Sequence, residues 1–132
     1  MLTGGCQCGA LRYDYQGELG QLYICHCSQC RKQSASAFGI SVLIDPALFR
    51  LVSGQAKHWA RRGDSGRMVG NAFCPDCGSR LWHELEGGCM VLKAGSLDAQ
   101  FDIGGAIHIY TDDCLPGVQI PAKAVTYPGG ID

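Results

Sequence analysis

The chain has 132 residues, about the span of one domain, with 46% hydrophobic and 17% charged residues, which excludes a disordered chain and a multidomain assembly. Eleven basic and twelve acidic side chains leave a formal net charge of -1, without the basic excess that phosphate-backbone recognition calls for, so no nucleic-acid partner is expected. Nine cysteines and nineteen glycines are the outliers, and they point to ligand clusters and frequent turns rather than long helices.

Along the chain, Met1 to Cys6 shows no basic start followed by an apolar run, and no stretch approaches the about 20 apolar residues of a membrane span. A cytoplasmic location without a membrane partner is expected, where thiols stay reduced and dense cysteines serve metal better than disulfides. Ala10 to Tyr15 alternates and stops at Gly17, like a strand. Leu22 to Ile24 is a short apolar run leading into Cys25. Ser28 to Ser34 reads as one or two helical turns with Ser28 as N-cap. Phe38 to Ile44 is a strand stopped by Asp45-Pro46, which opens a short turn of helix through Phe49. Lys57 to Arg61, Met68 to Phe73, Leu81 to Leu85, Met90 to Ala94 and Ala106 to Tyr110 complete the strands. The expectation is a mainly β chain, a single domain over residues 1–132, built of short antiparallel strands in a curved sheet or sandwich.

The cysteines fall into sets. Cys6 and Cys8 form C-x-C, and Cys74 and Cys77 form C-x2-C ahead of Gly78. Two local pairs of thiolates can meet in space as a closed tetrahedral zinc site, and such a site would tie the start of the chain to a late knuckle. Structural zinc contributes on the order of 10 kcal/mol to folding, as much as the whole stability of a small domain. Cys25, Cys27 and Cys30 form a separate triplet. Three protein ligands with an open fourth position is the pattern of a working zinc. The alternative is a second closed site completed by His26, Cys89 or Cys114. A dication with three thiolates carries one net negative charge, so it suits binding a further thiolate better than activating water.

Three stretches carry a resemblance. Gly5-Cys6-Gln7-Cys8-Gly9-Ala10-Leu11-Arg12-Tyr13, Cys25-His26-Cys27-Ser28-Gln29-Cys30-Arg31-Lys32 with Ser36-Ala37-Phe38, and Phe73-Cys74-Pro75-Asp76-Cys77-Gly78-Ser79-Arg80-Leu81 resemble, in order and spacing, the motifs of the glutathione-dependent formaldehyde-activating enzyme family, which includes relatives of centromere protein V. The resemblance implies a zinc-binding β-tent fold with a structural zinc on Cys6, Cys8, Cys74 and Cys77 and a catalytic zinc on Cys25, Cys27 and Cys30. It also implies a carbon–sulfur lyase that joins a thiol such as glutathione to a small aldehyde such as formaldehyde, giving an S-hydroxymethyl adduct. Gln33-Ser34-Ala35 stands where the family has an Ala-Ser-Gly-like run, and Gly117 where it has an aromatic residue.

Other residues are weighed against plainer roles. Arg31 and Lys32 are candidates for receiving a carboxylate of a peptide thiol, against a solvated helix face. His26, between two ligands on an extended segment, is expected to pack or hydrogen-bond away from the metal. His108 is expected to be a core or surface histidine. Arg61, Arg62 and Arg67 read as a flexible basic loop, with carboxylate binding as the second choice. Cys89 is expected to be buried and Cys114 to lie in a polar loop. The competing function is a non-enzymatic, zinc-stabilised module that docks a protein partner.

Overall fold

The computed structural model describes residues 1–131. In chain order the elements are β1 (Leu2–Gly5), β2 (Arg12–Tyr15), β3 (Leu22–Cys25), α1 (Ser28–Ser34), β4 (Gly39–Ile44), β5 (Phe49–Ser53), β6 (Lys57–Arg62), β7 (Met68–Phe73), β8 (Arg80–Leu85), β9 (Met90–Lys93) and β10 (Ile107–Ile109). Single turns of 3-10 helix cover Pro46–Leu48, Ala94–Ser96 and Thr111–Asp113. The chain is mainly β, as its punctuation by glycine and proline requires. Among the described residues, no helix is long and apolar enough to cross a membrane.

Two compact units arise: Met1–Gly20 with Val42–Gln100, and Gln21–Ser41 with the chain from Phe101 onward. In the first unit, β1, β2 and β5 form an antiparallel sheet in the order β1-β2-β5. β6 to β9 form an antiparallel meander, with β4 as the neighbour of β9. An aromatic chain packs inside this unit, from Tyr13 to Phe49 at 5.1 Å between ring centres and from Phe49 to Trp82 at 5.2 Å. Leu11, Leu81, Leu92 and Ala72 are buried with them. Each large apolar side chain taken from water stabilises the fold by about 1.5–3 kcal/mol. Gly4 faces Tyr13 in register, and a Cβ there would lie 2.3 Å from the Tyr13 hydroxyl, so only glycine lets the ring reach Ser96 Oγ at 2.7 Å.

In the second unit β3 lies between β10 and β4. β10 runs parallel to β3, with His108 opposite Ile24 and Ile109 opposite Cys25, a departure from the all-antiparallel expectation. The two strands are far apart in sequence, so no hairpin dictates their direction. The segment after Ala124 continues the ladder: His108 N donates to Val125 O, and Tyr127 N donates to His108 O.

Several sequence expectations are corrected. β1 has no strand signature in the sequence, because Gly4 and Gly5 mask its pattern, and β5 is hidden because it starts directly after a helical turn. Cys27, not Ser28, caps α1. Arg61 belongs to strand β6, as the strand reading of Lys57 to Arg61 expects, and Arg62 extends that strand instead of opening a loop. Cys89 is exposed rather than buried, because it follows Gly87 and Gly88 in a tight turn.

Candidate functional site

Both cysteine pairs of the first cluster occupy hairpin loops. β1 and β2 are joined through Cys6 to Leu11, and β7 and β8 through Cys74 to Ser79. Each loop closes on itself: Cys6 N donates to Leu11 O and Gly9 N to Cys6 O, while Cys74 N donates to Ser79 O and Gly78 N to Cys74 O. Gly78 sits at φ +80, a conformation side-chain-bearing residues avoid, which turns the chain back after Cys77. Gln7 N donates to Ser79 Oγ at 3.0 Å, which links the two loops.

The sulfurs of Cys6, Cys8, Cys74 and Cys77 all lie within 4.8 Å of one another. Cys6 to Cys8 is 3.6 Å and Cys8 to Cys74 is 3.7 Å. A zinc–sulfur bond of about 2.3 Å implies a tetrahedron edge of about 3.8 Å, close to the two contacts just given, so the donor set fits a zinc ion. Backbone amides address the sulfurs, Leu11 N to Cys6 Sγ at 3.2 Å and Asp76 N to Cys74 Sγ at 3.4 Å. The Ser79 hydroxyl and amide hold Cys77 down to about 5, well into the thiolate form at neutral pH.

The second cluster grows from the junction of β3 and α1. Cys25 ends β3, Cys27 caps the helix, and Cys30 lies one turn in. Cys30 N donates to Cys27 Sγ at 3.3 Å, so one sulfur serves as cap and as candidate ligand. Gln33, one turn on, donates from Nε2 to Cys30 Sγ at 3.3 Å. The three sulfurs lie within 4.8 Å of one another, Cys25 and Cys30 buried and Cys27 partly exposed. The Cys25 and Cys30 thiols donate to Cys27 and pull it down to about 2, while the same contacts drive Cys25 far upward. With Cys27 lowered and Cys25 raised, holding the sulfurs together as thiolates takes a cation, and a soft dication matches this donor set.

His26, Cys89 and Cys114 belong to neither cluster. His26 is fully buried and bonds from Nε2 to His108 Nδ1 at 2.9 Å, with Phe38 against its ring edge at 5.6 Å. This is the packing role the alternation predicted, and it anchors the end of β3 to β10. The I-H-I pattern of β10 hinted at a buried His108 but not at its partner. Arg31 and Lys32 stand in the last turns of α1, where cations suit the helix terminus. Lys32 is exposed, whereas Arg31 is half-buried, and its Nε is buried without a hydrogen-bond partner. Gln33 is the residue the sequence reading missed; its i to i+3 spacing from Cys30 was the available signal.

Residues 1–113 match the family model described as glutathione-dependent formaldehyde-activating enzyme. Among solved structures, the crystal structure of a Rhodobacter sphaeroides protein is similar with a TM-score of 0.56 and 19% sequence identity, covering 95% of this chain and 98% of that one. At that identity the likeness speaks for the fold.

Proposed function

The chain belongs to the glutathione-dependent formaldehyde-activating enzyme family, and from that premise we propose that it is a zinc-dependent carbon–sulfur lyase acting on a thiol and a small aldehyde. The observation that carries this reading is the set of three sulfurs of Cys25, Cys27 and Cys30, which no His, Asp, Glu or further Cys joins among the described residues. Three ligands leave one corner of a tetrahedral ion for a ligand from outside, whereas Cys6, Cys8, Cys74 and Cys77 fill all four and serve structure. Zinc held by the triplet would supply positive charge and a Lewis-acid position beside which an incoming thiol ionises readily.

The residues of the chain then have separable tasks. Cys25, Cys27 and Cys30 would hold the ion as thiolates, and the Cys30 amide and Gln33 side chain orient two of those sulfurs. Arg31 is the candidate to receive a carboxylate of a peptide thiol, because a buried guanidinium nitrogen without a partner is costly until an acceptor arrives, and Lys32 adds a second charge nearby. The addition forms one carbon–sulfur bond. The electron pair of the thiolate enters the carbonyl carbon, the carbonyl π pair moves to oxygen, and that oxygen takes the proton the thiol released. No oxidant or reductant is consumed, and the reverse step cleaves the same bond.

Cys27→Ser tests the reading. Serine is a good N-cap, so the variant keeps α1 while removing one zinc ligand. Expected is a loss of S-hydroxymethyl-thiol formation by at least about 100-fold, with circular dichroism unchanged. Turnover equal to wild type would overturn the assignment. Absence of turnover in both proteins would favour the zinc-stabilised docking module.

A further inference from the structure

One face of the β6–β9 meander is used by neither cysteine cluster. Directly opposed residues in an antiparallel pair share a face, and the face alternates along each strand. The register sets Trp59 opposite Asn71, Asn71 opposite His83 and His83 opposite Val91. Two residues along, Arg61 shares the face of Trp59, and Lys93 shares the face of Val91. Arg80 comes to the same side: its guanidinium carbon lies 5.9 Å from the Trp59 ring centre and 5.7 Å from that of Phe73, and Nη1 donates to Asn71 Oδ1 at 3.0 Å. Asn71 is itself fixed by donation from Nδ2 to Trp59 O and Val69 O, each at 3.1 Å. The opposite face holds Trp82 and Glu84, whose Oε1 accepts from Trp82 Nε1 at 2.9 Å and lies 3.7 Å from His58 Nε2. The carboxylate of β8 is therefore turned away.

The charged side chains that the strands place on the first face, Arg61, Arg80 and Lys93, are basic. Burial, then Lys93, Arg80 and Arg61, keep the His83 imidazole neutral. Burial, then Arg61, likewise disfavours the charge on Arg80. Arg61 and Arg80 make no ion pair among the described residues. The side chain of Arg61 bonds only to Arg62 O, at 3.4 Å, and Arg80 uses only Nη1, on Asn71. Gathered like charges on a partly buried surface raise the free energy of the folded chain until an anion offsets them. A guanidinium fork matches a carboxylate, and Trp59, 52% exposed, offers a flat apolar wall beside it.

We propose that this face binds a small carboxylate with a flat apolar body, Arg80 and Arg61 receiving the carboxylate, Asn71 holding Arg80 in place and Trp59 covering the body. It uses none of the clustered cysteines and stands apart from the thiol–aldehyde reading. Benzoate and its neutral analogue benzamide, titrated against the whole zinc-loaded chain and followed by tryptophan fluorescence, test it. Expected are a saturable response to benzoate, at least about tenfold weaker binding of benzamide, and an about tenfold or greater weakening of benzoate in Arg80→Gln. Arg61→Gln, on an edge strand and without a structural bond to lose beyond the Arg62 carbonyl, should weaken benzoate similarly with its zinc content unchanged, so a folding defect in the Arg80 variant leaves the test intact. A response that does not saturate, equal binding of the two probes, or wild-type benzoate affinity in Arg61→Gln would overturn the proposal.

Discussion

Single residues separate the two cysteine clusters by burial. Cys74 is fully buried in the β7–β8 loop and shares its cluster with the β1–β2 loop, so its sulfur joins two hairpins far apart in sequence. Cys27 is partly exposed and at the start of a short helix. Cys74→Ser should therefore cost more than about 4 kcal/mol, as losses of structural metal do, and chemical denaturation of the two variants side by side should show Cys27→Ser far closer to wild type. Equal destabilisation would mean that both clusters are structural. His83 makes a different prediction. Its ordinary value of 6.5 falls to about 3 in the fold, from burial first and the surrounding cations second. The unfolded chain thus takes up a proton that the folded chain refuses. The His83 contribution is intact above pH 6.5 and is lost progressively as the pH falls toward 3. Denaturation at stepped pH should show His83→Gln losing less stability than wild type over that window; identical slopes would contradict the burial argument.

At the scale of elements, α1 shows how the triplet is shaped and what the sequence could reveal of it. Its limits were legible because Ser28 to Ser34 contains no breaker, yet the cap was misplaced by one residue. Serine is the commoner cap, and only the bond from Cys30 N to Cys27 Sγ decides the matter. At the other end Ala35 takes φ +50, where glycine is the usual residue. Relief of that strain predicts that Ala35→Gly raises stability by about 1 kcal/mol, read from the denaturation midpoint at constant slope; a destabilised variant would mean that the left-handed turn is not strained. Strands with alternating or continuous apolar residues, such as β2, β3, β4 and β9, are readable from pattern alone. β1 is not, because its glycines are selected by the approach of Tyr13 from the neighbouring strand. The parallel seating of β10, the bond from His26 to His108 and the gathering of Arg61 with Arg80 are tertiary facts without a local signature. The cysteine sets were legible for the opposite reason, since metal ligation imposes spacing within each loop.

For the whole molecule, a 132-residue chain of short strands has a small core, and its two cysteine clusters could each hold a metal ion. One cluster joins two hairpin loops of the first unit, and the other is built within the second unit around the start of α1. Four thiolates enclose an ion fully, whereas three leave it open to competing ligands and more easily stripped. The family model runs through segments of both units. Zinc counted on freshly reduced protein, for wild type and Cys27→Ser together, tests the central claim most directly. The account predicts two ions per chain in the wild type and one in the variant; a single ion in both would contradict it.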